Sequence, residues 1–246
     1  MSDFEHSTLW RISAFERARQ GGGALDTGDL PTPLPTTMLA DLRGLQSNAD
    51  SDDLLEVMAA CLRHREAALL YVAHGPYVWP LTLFPVPGLV HSPRDPKALV
   101  DSTSLSGLRL INAERPGVRP PGHVMHERVA GRDKYHLLAP LLWAIALYGP
   151  RATLLDEIGG RAAYRLMPGR TGDLPPAPGA LAPALVRLRL QATSLREMAH
   201  WPGLSLERAS RLLNAVYLHG GLMVARSHPA ARGEPAAWRQ VLHRLR

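Results

Sequence analysis

The chain of 246 residues has a single cysteine, Cys61. One thiol excludes an internal disulfide framework and a cysteine-based zinc site. Its place on an apolar helical face suits a small buried hydrophobe better than a nucleophile. Long apolar runs are also missing. The longest, residues 137–148, is interrupted by Pro140 and falls short of the roughly 18 residues that span a bilayer. The start, MSDFEHSTLWR, is acidic and has no basic region ahead of an apolar block. No signal peptide is therefore read, no membrane partner is expected, and a cytoplasmic location is expected.

The signatures of common reaction centres are absent too. Gly21-Gly22-Gly23 lacks the spacing of a phosphate loop and follows no strand. No G-x-S-x-G occurs, and Ser104 has no glycine two places before it. Asp156 and Glu157 are adjacent, so they project differently from a helix and form no acid/base pair. Eleven histidines invite a metal hypothesis, yet no H-E-x-x-H is present. His123 and His126 follow a Pro-Pro-Gly loop, with no clustered carboxylate to add a ligand. No catalytic residue, metal ligand or cofactor is assigned, and a non-enzymatic function is expected.

Residues 102–107 (STSLSG), which follow Arg94, resemble in part the PilZ family, which binds a cyclic dinucleotide through R-x-x-x-R and [D/N]-x-S-x-x-G. Ser104 and Gly107 fit, but Ser102 stands where Asp or Asn belongs, and Ala98 replaces the second arginine counted from Arg94. A serine-rich turn is the expectation there.

What the chain does contain is punctuated by proline and glycine, 22 and 21 residues. Residues 8–19 can form a short helix, and 20–37 read as a linker or draped arm. Asp50 or Ser51 is expected to cap a helix over 52–65, with Leu54, Leu55, Met58, Cys61 and Leu62 as its apolar stripe. Residues 68–73 and 77–84 read as a hairpin joined through His74-Gly75-Pro76, followed by short strands at 89–91 and 107–111. Prolines 80, 85 and 87 are expected to push these strands to an edge or break them. Tyr77 and Trp79 are aromatics that would suit a partner edge if exposed. A buried helix over 136–147, a short helix over 153–158 and a strand over 162–167 complete the first domain. The stretch 168–179 (PGRTGDLPPAPG) is the expected boundary.

Charge is unevenly distributed. From Leu174 onward there are ten arginines, no lysine and three acids (Glu197, Glu207 and Glu234), a net of +7 against +6 for the whole chain. Such segregation suits a phosphate-binding module. In the same region Leu181, Leu185, Leu188 and Ala192 recur at helical spacing and leave Arg187 and Arg189 outward. Thr193 or Ser194 can cap a helix over 195–200, Trp201-Pro202-Gly203 forces a turn, and Ser205 can cap a helix over 206–218. That last helix is expected to bury Leu206, Ala209, Leu212, Leu213, Val216 and Tyr217. Its outward residues would be Arg208, Ser210, Arg211 and Asn214. Gly220-Gly221 stops it, and 222–225 has the composition of a strand. A final amphipathic helix over 235–246, with Trp238, Val241, Leu242 and Leu245 on one face, is expected to dock on the rest.

This succession resembles the winged-helix, or helix-turn-helix, superfamily by its pattern of elements. The resemblance implies a regulator or an adaptor. In a DNA-binding member Arg208, Arg211 and Asn214 would face base edges, while Arg187, Arg189, Arg196 and Arg226 would neutralise phosphates. No second wing strand is visible after Arg226, and many such modules serve as docking scaffolds.

The sequence is thus expected to fold as an α+β protein. Residues 1–49 would be an arm and linker, 50–170 a mixed domain with a small antiparallel sheet, and 178–246 a mainly helical winged-helix-like domain. DNA binding by that last domain is the leading expectation, and a protein-interaction adaptor of a bacterial signalling pathway is the alternative. A homodimer is a further possibility.

Overall fold

The computed structural model of the chain describes residues 9–20, 34, 36–38, 40, 53–101, 105–169 and 174–231. Helices and two antiparallel sheets make it an α+β protein. The chain separates into two compact units, Met1–Arg151 and Ala152–Arg246. Most of the expected arm 1–49, the turn residues Ser102 and Ser104, and the expected C-terminal helix 235–246 lie outside the described residues.

In the first unit a two-residue strand β1 (Trp10–Arg11) leads into helix α1 (Ile12–Gln20), which buries Phe15. Helix α2 (Leu54–His64) is capped at Asp53, not at the expected Asp50 or Ser51. The Asp53 carboxylate accepts the backbone N–H of Leu55 at 2.9 Å and of Glu56 at 3.2 Å, satisfying first-turn donors that have no partner within the helix. At the other end Arg65 takes φ 56°, and Glu66 N–H reaches Cys61 O, which closes the helix in the Schellman manner. Arg151 binds the side chains of Asp53 and Glu56, both largely buried. Two buried carboxylates so close to one another need that cation.

The first sheet runs β5-β2-β3-β4-β6, with β1 also on β3. Its strands are β2 (Ala68–His74), β3 (Tyr77–Phe84), β4 (Leu89–His91), β5 (Arg109–Glu114) and β6 (Tyr135–Leu137), and a four-residue helix α3 (Lys97–Val100) lies between β4 and β5. Gly75, at φ +55°, turns the β2–β3 hairpin. Contrary to expectation, β3 is an interior strand that continues through Pro80. Counting back from the turn, Tyr71–Pro80 is a pair that exchanges no backbone bonds, so the N–H that proline lacks would point away from β2. On that side β1 pairs only as far as Val78 and β4 begins at Thr82, so no ladder bond is lost. At the β5 edge Tyr71 pairs Asn112 while Val72 pairs Leu110, which leaves Ile111 as a bulge. A bulge there disfavours pairing with a further strand.

Leu70, Val72, Leu81, Leu83 and Val90 line the core of this sheet. Helix α4 (Leu138–Tyr148) packs against β4, with Pro140 in its first turn where a missing N–H costs little. His136 and Leu137, expected in this helix, belong to β6 instead. Trp79 is buried, and its indole N–H donates to Ser92 Oγ at 2.8 Å, so it offers no partner edge. Tyr77 remains at the surface.

The second unit holds strand β7 (Ala163–Leu166), helix α5 (Leu181–Leu190), strand β8 (Thr193–Ser194), helix α6 (Leu195–Met198), helix α7 (Leu206–Leu218) and strand β9 (Leu222–Ala225). Its sheet runs β8-β7-β9, all antiparallel. The division between units therefore falls ahead of 168–179. β7, read from sequence as the end of the first domain, is the central strand of the second unit's sheet and packs under α5. The helix expected over 153–158 is a single 3-10 turn, Asp156–Ile158. Among the described residues no helix is long and apolar enough to cross a membrane.

Candidate functional site

The seven residues with an expected surface role all lie in the second unit, and local chemistry fixes the elements that carry them. Ser194 Oγ accepts the N–H of Glu197 at 3.3 Å, capping α6. Ser205 Oγ accepts the N–H of Arg208 at 3.2 Å, capping α7. Between them the turn passes through Gly203 at φ +74°, where an added Cβ would stand 2.6 Å from the Ala180 side chain. Glycine is required there on both grounds.

Arg187, Arg189, Arg196 and Arg208 are exposed. The Arg187 guanidinium stacks over the buried Trp201 ring at 5.4 Å, a contact of the cation–π type. Arg208 Nη1 donates to Gly203 O at 2.6 Å and so ties α7 to the turn. Arg211 is half-buried, its Nε bonded to Glu207 Oε1 at 2.9 Å one helical turn earlier.

Asn214 departs from the expected outward position. It is fully buried. Its Oδ1 accepts the N–H of Leu155 at 2.9 Å, and its Nδ2 donates to Thr153 O at 2.8 Å. Ser210 is also buried, donating to Leu206 O at 2.9 Å, whereas Leu206, expected inside, is 58% exposed. For Asn214 the cause is the segment 153–159, whose Thr153 and Leu155 backbone it bonds.

Further side chains hold that segment. Tyr164, entirely buried, donates to Ile158 O at 2.7 Å, and burial raises its phenol above the ordinary value. Arg226 lies at the surface but donates to Gly159 O at 3.0 Å and Glu157 O at 2.9 Å. Tyr217 hydrogen-bonds the Glu157 carboxylate. The arginine expected on a phosphate is thereby engaged with backbone carbonyls.

After its first turn α7 offers little surface. Leu206, Glu207 and Arg208 are exposed, while 212–216 and Leu218 are buried. α5 is different, because apolar side chains occupy both of its faces. Leu181, Ala184 and Leu188 are buried, and Val186 and Leu190 stand 58% and 72% exposed. Sequence reading passed over Val186 and Leu190, although their four-residue separation within a helix marks a second apolar stripe.

Among the described residues no three His, Cys, Asp or Glu side chains gather to hold a metal ion. His123 Nδ1 accepts the N–H of Met125 at 3.1 Å, a local turn contact. Comparison of the chain with protein families, curated proteins and solved structures gives no match.

Proposed function

We propose that the second unit is a winged-helix-like module that docks a protein partner, and that the chain works as a non-enzymatic regulatory adaptor of a bacterial signalling pathway. The order α5, β8, α6, turn, α7, β9 supports the winged-helix resemblance. So does β7, which fills the sheet position a second wing strand would take; no strand follows Arg226 among the described residues.

The observation that carries the docking reading is the state of Asn214. A base reader needs a free amide at the surface, and this amide is buried with both its groups bonded inside the unit. Arg211 and Arg226 reinforce the point, one paired with Glu207 and the other on carbonyls. Exposed Glu207 in the first turn of α7 would also meet phosphates with like charge.

A DNA-binding reading keeps one specific support. Arg187, Arg189, Arg196 and Arg208 are exposed, in a region whose net charge from Leu174 onward is +7. Photo-crosslinking in the cell separates the two readings. A photoreactive residue placed at Leu190 or at Arg208 is expected to give adducts that resist nuclease and yield to protease. Nuclease-sensitive adducts at Arg208 would overturn docking in favour of DNA.

A further inference from the structure

Helix α5 has ten residues, LAPALVRLRL, without an acid among them. At about 100° per residue its buried positions, Leu181, Ala184 and Leu188, define one side of the cylinder. Directly opposite lie Val186 and Leu190, with Pro183 beside them, all exposed. Arg187 and Arg189 fall on the two sides of this stripe, each roughly 80° from its centre at that same helical pitch. Both are exposed, and stacking on Trp201 holds Arg187 in place.

An apolar seam bordered by charge is the layout by which paired helices choose partners: the seam supplies the buried area, and the flanking charges decide what may lie against it. We infer that the outer face of α5 docks an acidic amphipathic helix, one with leucine-like residues along its seam and Asp or Glu flanking them. This rests on the docking reading above and names the chemistry of the partner.

Charge decides between occupants. A second copy of the chain laid α5 against α5 would bring four arginines together with no acid on either helix to offset them, and like-charge juxtaposition opposes such a pairing. The chain's own end, 235–246, carries Arg239, Arg244 and Arg246 and no acid, so it is no better a complement. An acidic helix satisfies both the seam and its borders.

The test is a selection from a displayed library of helical peptides. Leucine is fixed at i, i+3, i+4 and i+7, and the flanking positions are randomised among Glu, Lys, Ser and Ala. The full-length protein is the target. Enrichment of Glu at the flanks is expected. The selected peptide should lose at least tenfold in affinity for Val186→Ser/Leu190→Ser. Arg189→Glu should weaken it and should favour the Lys-flanked version of the same peptide. Both altered stripe positions are exposed, and thermal unfolding verifies that the variants remain folded.

Absence of enriched peptides, flanks without acid, or affinity unchanged in the stripe variant would overturn the inference. If the crosslink from Arg208 still reaches protein while that from Leu190 does not, docking would stand on another face. If the Arg208 crosslink reaches nucleic acid, the docking reading fails as well.

Discussion

Asn214 presents a donor and an acceptor on one short side chain, and both are engaged 59 to 61 residues away in sequence. Replacing it with alanine strands the backbone N–H of Leu155, a buried residue. A buried group left unpaired costs about 1–3 kcal/mol. Asn214→Ala is therefore expected to lower the thermal midpoint by several degrees, in the presence or absence of nucleic acid. An unchanged midpoint would show that the 153–159 segment does not rest on this residue. Cys61 behaves as its sequence position suggests, since burial pushes its thiol up to about 12. The unfolded chain releases that proton near the ordinary value of about 8.5, whereas the folded chain holds it. Between those values the unfolded state binds fewer protons, so this thiol's contribution to stability is present below the unfolded pKa and lost as pH rises toward 12. Native protein should resist thiol reagents at neutral pH. Labelling of Cys61 should appear together with alkaline unfolding, and rapid labelling of the folded state would contradict its burial. The caps of α6 and α7 were legible in the sequence because Ser194 and Ser205 act on donors three residues away, whereas that of α2 at Asp53 was not. The bonds of Asn214 were not legible either, because nothing local marks residues so distant as its partners.

At the scale of elements α5 separates buried from exposed apolar residues. Leu188→Ala removes a fully buried side chain of the helix that packs on β7 and should cost about 2–5 kcal/mol. Val186→Ser and Leu190→Ser alter exposed positions and should each change stability by no more than about 0.5 kcal/mol. Chemical denaturation of the three variants checks the contrast, and equal losses would mean that α5 has no free face. Ser205→Ala should cost α7 about 1 kcal/mol, read in the same experiment. Periodicity disclosed these helices because their contacts repeat every turn. Strand pairing was less accessible. β7 was recognised as a strand, but its four residues do not say that they lie between β8 and β9. Pro80 points to an edge or broken strand for β3, since the sequence does not disclose that the proline falls where β1 has ended and β4 has not begun.

For the whole molecule the uneven charge is the feature with two meanings. An excess of arginine can grip phosphate, or it can border an apolar seam and select acidic protein. Composition alone favoured phosphate. The side-chain bonds shift the weight, because Arg211, Asn214 and Arg226 have partners inside the second unit. The bonds of Asn214 and Arg226 arise from the 153–159 segment, which the expected boundary at 168–179 assigned to the other domain. The measurement that tests the proposed docking function most directly is binding to mixed-sequence duplex DNA across a salt series, for the wild type and Arg208→Ala. Each phosphate neutralised steepens the fall of log K with log salt by about 0.9. Docking predicts weak association with a shallow slope, gone near physiological salt and the same in both proteins. Tight association that falls steeply with salt and weakens in Arg208→Ala would contradict it and restore α7 as a DNA-reading helix.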